Sequence, residues 1–137
     1  MVRPKKNKMP MSRIENEILT SPCFSRLVST MGEAEFLTFA KSKIIAIQGD
    51  LVMEGLGLSE ESRSLIVNNA DIFINSAASV NFNDPLKQAL NINYLGAKRV
   101  LALANECKKL KIFTHVSTAY VNCDRPGGNI YEKIYNE

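Results

Sequence analysis

The stretch KIFTHVSTAY, residues 111–120, decides the fold, because it is a short apolar run of β-forming residues that stops at a Ser-Thr pair. Two earlier segments share this design. Residues 44–47 run into a Gly-Asp pair, and residues 72–74 run into the sequence NSAAS. In an open parallel sheet, ligands bind at the carboxyl ends of the strands, where unpaired backbone groups are exposed. Three such strand ends indicate a binding crevice, although one Ser-Thr pair alone could equally well only terminate a strand.

Helix signals alternate with these strand signals along the chain. Capping residues and apolar residues at helical spacing predict helices over residues 12–19, 22–28, 33–41 and 84–107, and a polar helix over residues 59–69. We expect Ser12 and Ser59 to act as N-caps, and Asp84 with Pro85 to form the cap and first turn of the longest helix. The alternation of helices and strands indicates right-handed βαβ crossovers and therefore an α/β fold with a parallel sheet.

Composition and charge limit the possible classes of protein. With 137 residues, 45% of them hydrophobic, the chain can hold one domain-sized core or part of one. The net charge of +3 is modest, and the basic run at residues 3–8 is more often a solvated tail than a phosphate site, so we expect no nucleic-acid partner. No apolar run approaches the roughly 18 residues that a membrane span needs, and the basic start lacks the apolar segment of a signal peptide.

Cysteine usage points to a reducing compartment. Cys23, Cys107 and Cys123 are odd in number, far apart and free of Cys-x-x-Cys spacing. This pattern argues against a disulfide framework and against a zinc site.

The chain lacks the motif by which dinucleotide sites are usually found. Such a site normally opens with a strand and a Gly-rich turn whose amides hold the pyrophosphate at a helix N-terminus. The seven glycines, at positions 32, 49, 55, 57, 96, 127 and 128, do not form that turn after a strand. A search for this motif alone would therefore miss a nucleotide site.

Six motifs nevertheless match one enzyme family in order and spacing. They are VRPKK at 2–6, GDL at 49–51, GLGLS at 55–59, NSAASVNF at 75–82, NINYLGAKRVLALANEC at 91–107 and THVSTAYVNC at 114–123. Together they resemble the fatty acyl-CoA reductases, which are extended short-chain dehydrogenase/reductases that reduce long-chain fatty acyl-CoA with NADPH, in many members to the primary alcohol. The resemblance implies a partial Rossmann-type doubly wound parallel sheet with flanking helices. It covers almost the whole chain, from Val2 to about Tyr135.

The resemblance assigns three residues to the adenosine end of NADPH. Arg3 matches the arginine at the end of the second strand, where a permanently charged, planar guanidinium can bind the 2′-phosphate; otherwise it is a flexible terminal residue. Asp50 and Leu51 match the pair beside the adenine. The carboxylate can accept a hydrogen bond from the exocyclic amine, and the apolar side chain packs on the ring. Asp50 could alternatively cap a turn.

Four further cofactor-facing residues follow from the same comparison. Ser76, Ala77 and Ala78 match the strand end of small residues that lets the backbone approach the ribose and pyrophosphate, and small residues also suit close helix packing. Asn93 matches the asparagine of the long helix that supports the active site and its proton-relay water. A polar side chain among apolar helical positions needs a partner, which packing alone does not supply.

Ser117 matches the active-site hydroxyl that holds the substrate carbonyl, and Thr118 is the second candidate because it carries the same group next door. In this fold the proton comes from a tyrosine in a Tyr-x-x-x-Lys pattern on the following helix. Tyr94 and Lys98 have that spacing but precede the Ser117 strand, so we interpret them as residues of the helix surface or packing.

We therefore expect residues 1–137 to be an incomplete NAD(P)-binding reductase domain, without the first strand and its Gly-rich turn and without the tyrosine-lysine helix. We expect the isolated chain to be inactive. Two alternatives stay open: a related extended reductase, such as a thioester-releasing domain or a sugar-nucleotide epimerase, and a truncated product without catalysis. The family resemblance implies an intracellular enzyme on the cytosolic side of the endoplasmic reticulum or peroxisome membrane.

Overall fold

The computed structural model describes residues 1–5 and 8–135, which form helices and two short strands. The helices are α1 (Pro10–Arg13), α2 (Ser25–Met31), α3 (Glu33–Lys43), α4 (Glu60–Asn69), α5 (Leu86–Ala89) and α6 (Gly96–Asn105). Wider π turns occupy Ile14–Ile18 and Leu90–Leu95, and tighter 3-10 turns occupy Pro22–Phe24, Glu54–Gly57 and Ala119–Asn122. The strands are β1 (Ile72–Asn75) and β2 (Ile112–His115).

The two strands form a parallel pair, as the sequence predicts. Ile72 lies opposite Ile112 and Asn75 lies opposite His115. The connection between them runs through α5, the π turn and α6, so it is a βαβ crossover. The expected α/β class with parallel strands is confirmed.

The faces of this sheet differ in burial. The rings of Phe73 and Phe113 stack with their centroids 6.3 Å apart, and both pack against the cluster of buried residues that includes α6. The opposite face exposes Ile72, Ile74 and Ile112, with Ile74 71% exposed. Parallel sheets are normally covered on both faces. This sheet differs, because one face is packed and the other is exposed.

The predicted strand at residues 44–47 is wrong. A strand needs hydrogen bonds from a neighbouring segment, and in the described part of the chain this segment pairs only with Val2. The Val2 N–H donates to the Ile47 carbonyl at 2.7 Å, and the Gly49 N–H donates to the Val2 carbonyl at 3.1 Å. The result is a single parallel bridge between Val2 and Gln48.

Two of the predicted caps are also wrong, and one is confirmed. The first helix begins at Pro10, whose fixed φ suits a first turn, so Ser12 lies inside α1. Asp84 is not a cap, because its carboxylate is used within the loop before α5, and the cap position is Pro85. The Ser59 hydroxyl does cap α4, accepting from the Ser62 N–H at 3.2 Å.

Buried apolar side chains form two clusters. The first gathers Ile14, Leu19, Phe36 and Ala40 among the first three helices. The second gathers Leu56, Val100 and Leu103, with residues of α4 and both strands packed around it. The second cluster therefore fixes the loop of residues 49–58 against α6 and the sheet.

Candidate functional site

A cavity of about 170 Å³ lies where the start of the chain, the loop after Gln48 and the segment after β1 meet. The lining residues are Met1, Arg3, Gly49, Asp50, Leu51, Val52, Ala77, Ala78 and Ile92. Five of them are residues that the family resemblance assigns to the cofactor. Segments that lie far apart along the chain, from Met1 to Ile92, thus contribute to one small concave site.

One wall of the cavity is an ion pair. Arg3 Nε lies 3.2 Å from Asp50 Oδ2, and the side chains are 71% and 18% exposed respectively. The other carboxylate oxygen, Oδ1, accepts from the Val52 N–H at 3.1 Å. Asp50 therefore does cap a turn, and the same carboxylate also orients the guanidinium at the mouth of the cavity.

The loop that carries Asp50 depends on glycine and on left-handed backbone. A Cβ at Gly49 would lie 2.2 Å from Met1 Sδ and 3.1 Å from the Leu56 carbonyl oxygen, so a larger residue there would displace the Met1 side chain and crowd the backbone of Leu56. Gly55, Leu56 and Gly57 all have positive φ, and Leu56 at φ +61° is the non-glycine member. The Leu56 side chain is 1% exposed. Its burial offsets the cost of this conformation.

The strand end after β1 supplies the opposite wall. Ala77 and Ala78 line the cavity with small side chains, while Ser76 is exposed and does not line it. Both alanines are exposed, and their role beside a cofactor stays a prediction.

Asn93 does not line the cavity but holds the loop beyond it. Its Oδ1 accepts from the Ser79 N–H at 2.8 Å, and its Nδ2 donates to the Ser79 carbonyl at 3.2 Å. The Ser79 hydroxyl in turn donates to Asp84, which also accepts from Asn81 Nδ2 at 2.9 Å. The partner that a polar residue on this helix requires is therefore the backbone of Ser79.

Ser117 lies at the same edge of the sheet, outside the cavity. The Val116 N–H donates to the Asn75 carbonyl at 2.9 Å, which brings the ends of both strands side by side. Thr118 Oγ1 accepts from the Tyr120 N–H at 3.2 Å and so caps a 3-10 turn. Ser117 is exposed, and its hydroxyl makes no hydrogen bond within residues 1–5 and 8–135.

The segment that carries Arg3 is held from outside the cavity by a second arginine. Arg13 Nη1 donates to the Arg3 carbonyl at 2.7 Å, while its Nε and Nη2 donate to Glu17 Oε2 at 3.1 and 2.7 Å. The hydrogen bond from Arg13, with help from the charges of Lys5 and Lys8, lowers the pKa of Glu17 to about 2. Glu17 is therefore ionised at neutral pH and keeps Arg13 oriented.

Two residues at or beside the cavity, Ile92 and Arg99, are not predicted from the sequence. Ile92 lines the cavity from the π turn. Arg99 Nη1 donates to the Leu51 carbonyl at 2.8 Å. A charged residue on a helix usually faces solvent, so the sequence carries no signal for this contact beyond the position of Arg99 directly before the buried Val100.

No membrane-spanning helix occurs among the residues that the structure covers, since none of their helices is both long and apolar enough. The same residues contain no group of three or more histidine, cysteine, aspartate or glutamate side chains that could hold a metal ion.

Comparisons with known proteins identify the family of the chain. The male sterility protein family of NAD-binding domains matches residues 1–137. Fatty acyl-CoA reductase 2, chloroplastic, of Arabidopsis thaliana is 37% identical over 136 residues, which is 99% of this chain and 22% of the relative. Fatty acyl-CoA reductase 1 of Mus musculus is 37% identical over 135 residues, 98% of this chain and 24% of the relative. The alcohol-forming fatty acyl-CoA reductase of Simmondsia chinensis is 39% identical over 124 residues, which is 90% of this chain and 25% of the relative.

The chain thus spans about a quarter of the length of the curated relatives that it matches. The resemblance to fatty acyl-CoA reductases is confirmed along nearly all of its residues. Because the family match runs from the first residue to the last, the chain belongs to the male sterility protein family of NAD-binding domains.

Proposed function

We propose that this chain forms the adenosine-facing part of an NADPH site in a fatty acyl-CoA reductase that acts on long-chain acyl thioesters. The observation that carries the proposal is the cavity in which Arg3, Asp50 and Leu51 meet Ala77 and Ala78. These residues come from separate segments, and together they offer a cation, a carboxylate, an apolar side chain and accessible backbone. An adenosine 2′-phosphate presents complementary groups to each of them.

The residues at the cavity fit such a ligand chemically. Arg3 uses Nε for Asp50, which leaves both Nη groups without a protein partner among the described residues and available for the 2′-phosphate. Each carboxylate oxygen of Asp50 has a second lone pair. The side chain can therefore accept a hydrogen bond from the adenine amine while it keeps the hydrogen bond from the Val52 N–H and the ion pair with Arg3. Leu51 packs against the ring. Ala77 and Ala78, with Ser76 just outside the cavity, are proposed to let the backbone approach the ribose and pyrophosphate.

NADPH, when bound, supplies the hydride for the reduction. The proposed contribution of Ser117 is to donate a hydrogen bond to the thioester carbonyl oxygen, where negative charge builds up. Ser117 is exposed, and its hydroxyl has no hydrogen-bond partner among the described residues. The Thr118 oxygen instead accepts from the Tyr120 N–H, which ties that side chain to the 3-10 turn and favours Ser117 over Thr118 for this role. Asn93 is proposed to support the site by holding the backbone of Ser79.

The wider context is proposed on the same basis. Residues 1–137 are proposed to be part of one NAD(P)-binding domain whose complete sheet is of the doubly wound Rossmann type. The parallel pair β1–β2 and the isolated parallel bridge between Val2 and Gln48 support this proposal. The names of the relatives favour a fatty acyl-CoA reductase, with a primary alcohol as product, over a thioester-releasing domain or an epimerase. A cytosolic-side location at the endoplasmic reticulum or peroxisome membrane is proposed from the family resemblance alone.

A segment-replacement chimera tests the function. The matched 135 residues of the mouse fatty acyl-CoA reductase 1 are exchanged for this chain, and NADPH oxidation with palmitoyl-CoA is followed together with the alcohol formed. We expect reduction that depends on acyl-CoA. A folded chimera that binds NADPH but forms neither aldehyde nor alcohol would contradict the proposal.

A further inference from the structure

We infer that Arg99 is a positioning residue that holds the Asp50–Leu51 turn in the shape that an adenosine nucleotide needs. This inference rests on the proposed function of the cavity. Arg99 does not line the cavity, and it acts through the backbone of Leu51.

The guanidinium of Arg99 forms hydrogen bonds with both the loop and the long helical segment. Nη1 donates to the Leu51 carbonyl at 2.8 Å. Nη1 and Nη2 both donate to Asn91 Oδ1 at 3.2 Å, and Nη1 also reaches the Asn91 carbonyl at 3.3 Å. Arg99 is half-buried, and hydrogen bonds from a charged, partly desolvated donor are stronger than neutral ones.

The π turn before α6 makes this arrangement possible. At its end the Gly96 N–H donates to the Asn91 carbonyl, five residues earlier. The wider turn displaces Asn91 from ordinary α-helical geometry, and π turns are frequent at functional sites. Both the carbonyl and the side chain of Asn91 then meet Arg99 and lock its orientation.

The same helix face confines the Leu51 side chain. A Cβ at Gly96 would lie 3.0 Å from Leu51 Cβ and 3.5 Å from its Cδ1. Leu51 is therefore packed against Gly96 on one side and hydrogen-bonded through its carbonyl to Arg99. Since Asp50 precedes Leu51 directly, a shift at the Leu51 carbonyl moves both the carboxylate and the apolar side chain that face the cavity.

Arg63 provides a matched contrast. Its Nη2 donates to both carboxylate oxygens of Glu106 at 2.6 Å and so ties α4 to the end of α6. This contact is a second arginine clamp between helical segments, but it touches neither Asp50 nor Leu51. Replacement of Arg63 removes a comparable structural contact and leaves the cavity turn in place.

Nucleotide binding by the 137-residue chain tests the inference. Titration calorimetry compares adenosine 2′,5′-bisphosphate with adenosine 5′-monophosphate, using Arg99→Met, Arg99→Lys and the control Arg63→Met. We expect Arg99→Met to lower the affinity for both nucleotides by about tenfold, because one charged hydrogen bond that holds the turn is lost. Arg99→Lys keeps one donor and should recover part of this loss, whereas Arg63→Met should bind like the wild type. In NMR spectra, only the Arg99 variants should shift the amide signals of Leu51 and Val52.

The outcomes separate this inference from the proposed function. If the wild type binds and Arg99→Met binds equally well, the positioning role is wrong while the cavity remains a nucleotide site. If the wild type binds neither nucleotide, the proposed function of the cavity is wrong. Unchanged amide signals of Leu51 and Val52 in Arg99→Met would overturn the inference in either case. If Arg99→Met does not fold, wild-type affinity in Arg99→Lys would overturn it.

Discussion

Arg3 Nε lies 3.2 Å from Asp50 Oδ2, and this ion pair joins the first residues of the chain to the loop that follows Gln48. Arg3 is 71% exposed, and exposed ion pairs contribute little to stability. The importance of the pair is therefore geometric. It aims a guanidinium at the mouth of the cavity, while Arg13 fixes the Arg3 backbone from the other side.

Ser117 should matter more for turnover than Thr118. In the chimera with the mouse enzyme, Ser117→Ala should lower turnover by about 10²-fold or more, because a well-aimed hydrogen-bond donor to the developing oxyanion is lost. Thr118→Ala is the matched control and should cost less, since that hydroxyl caps a turn through the Tyr120 N–H. Equal turnover of the Ser117 variant and the parent chimera would remove Ser117 from the mechanism.

Stability should depend on the cluster around Leu56 and not on the open sheet face. Because Ile72, Ile74 and Ile112 stay exposed, we expect the isolated chain to unfold with a free energy below about 5 kcal/mol. Leu56→Ala should remove most of the cooperative transition, since deleting a buried leucine costs about 2–5 kcal/mol. Ile74→Ala should leave the urea midpoint nearly unchanged. Circular dichroism in urea would measure both, and an equal effect of the two variants would contradict the assignment of the core.

Glu17 should titrate far below an ordinary glutamate. Its pKa is lowered from 4.5 to about 2, chiefly by the hydrogen bond from Arg13. Because the folded-state pKa is lowered, the contribution of this carboxylate to stability is fully present above about pH 4.5 and is lost as the pH falls through about 2. An NMR titration of the carboxyl carbon measures the midpoint.

Two variants separate the causes of this shift. Arg13→Met should return the midpoint of Glu17 towards 4.5, since the hydrogen bond is the largest cause. Lys5→Met should change it much less, because Lys5 Nζ lies 3.8 Å from the carboxylate and acts only through its charge. A midpoint near 4.5 in the folded wild type would show that the Arg13 contact does not form.

Local patterns were sufficient to predict much of the fold. The hydroxyl of Ser59 and the apolar runs at β1 and β2 specify their elements by short-range chemistry, and the structure follows them. Residues 44–47 have the same apolar pattern, yet they form no strand. The difference comes from long-range contacts. A strand also needs a partner segment, and within residues 1–5 and 8–135 this stretch has a single parallel bridge, between Gln48 and Val2.

The position of the candidate site could be predicted only where the sequence matches the family motifs. Asp50 and Ala77 were assigned by resemblance, and the structure brings them to one cavity. Arg99 and Asn91 could not be found in this way, because their contact depends on a π turn that shifts the register of the helix. Helical periodicity assumes uniform α-helical geometry, so it places such residues on the wrong part of the helix surface.

The most direct test of the central claim is whether Arg3 binds the 2′-phosphate of the nucleotide. Calorimetry should show that the wild-type chain binds adenosine 2′,5′-bisphosphate more tightly than adenosine 5′-monophosphate, by about tenfold or more, because a charged hydrogen bond to phosphate is gained. Arg3→Met should abolish this preference and leave the affinity for the monophosphate unchanged. Equal affinity of the wild type for both nucleotides, or a preference that survives in Arg3→Met, would contradict the account.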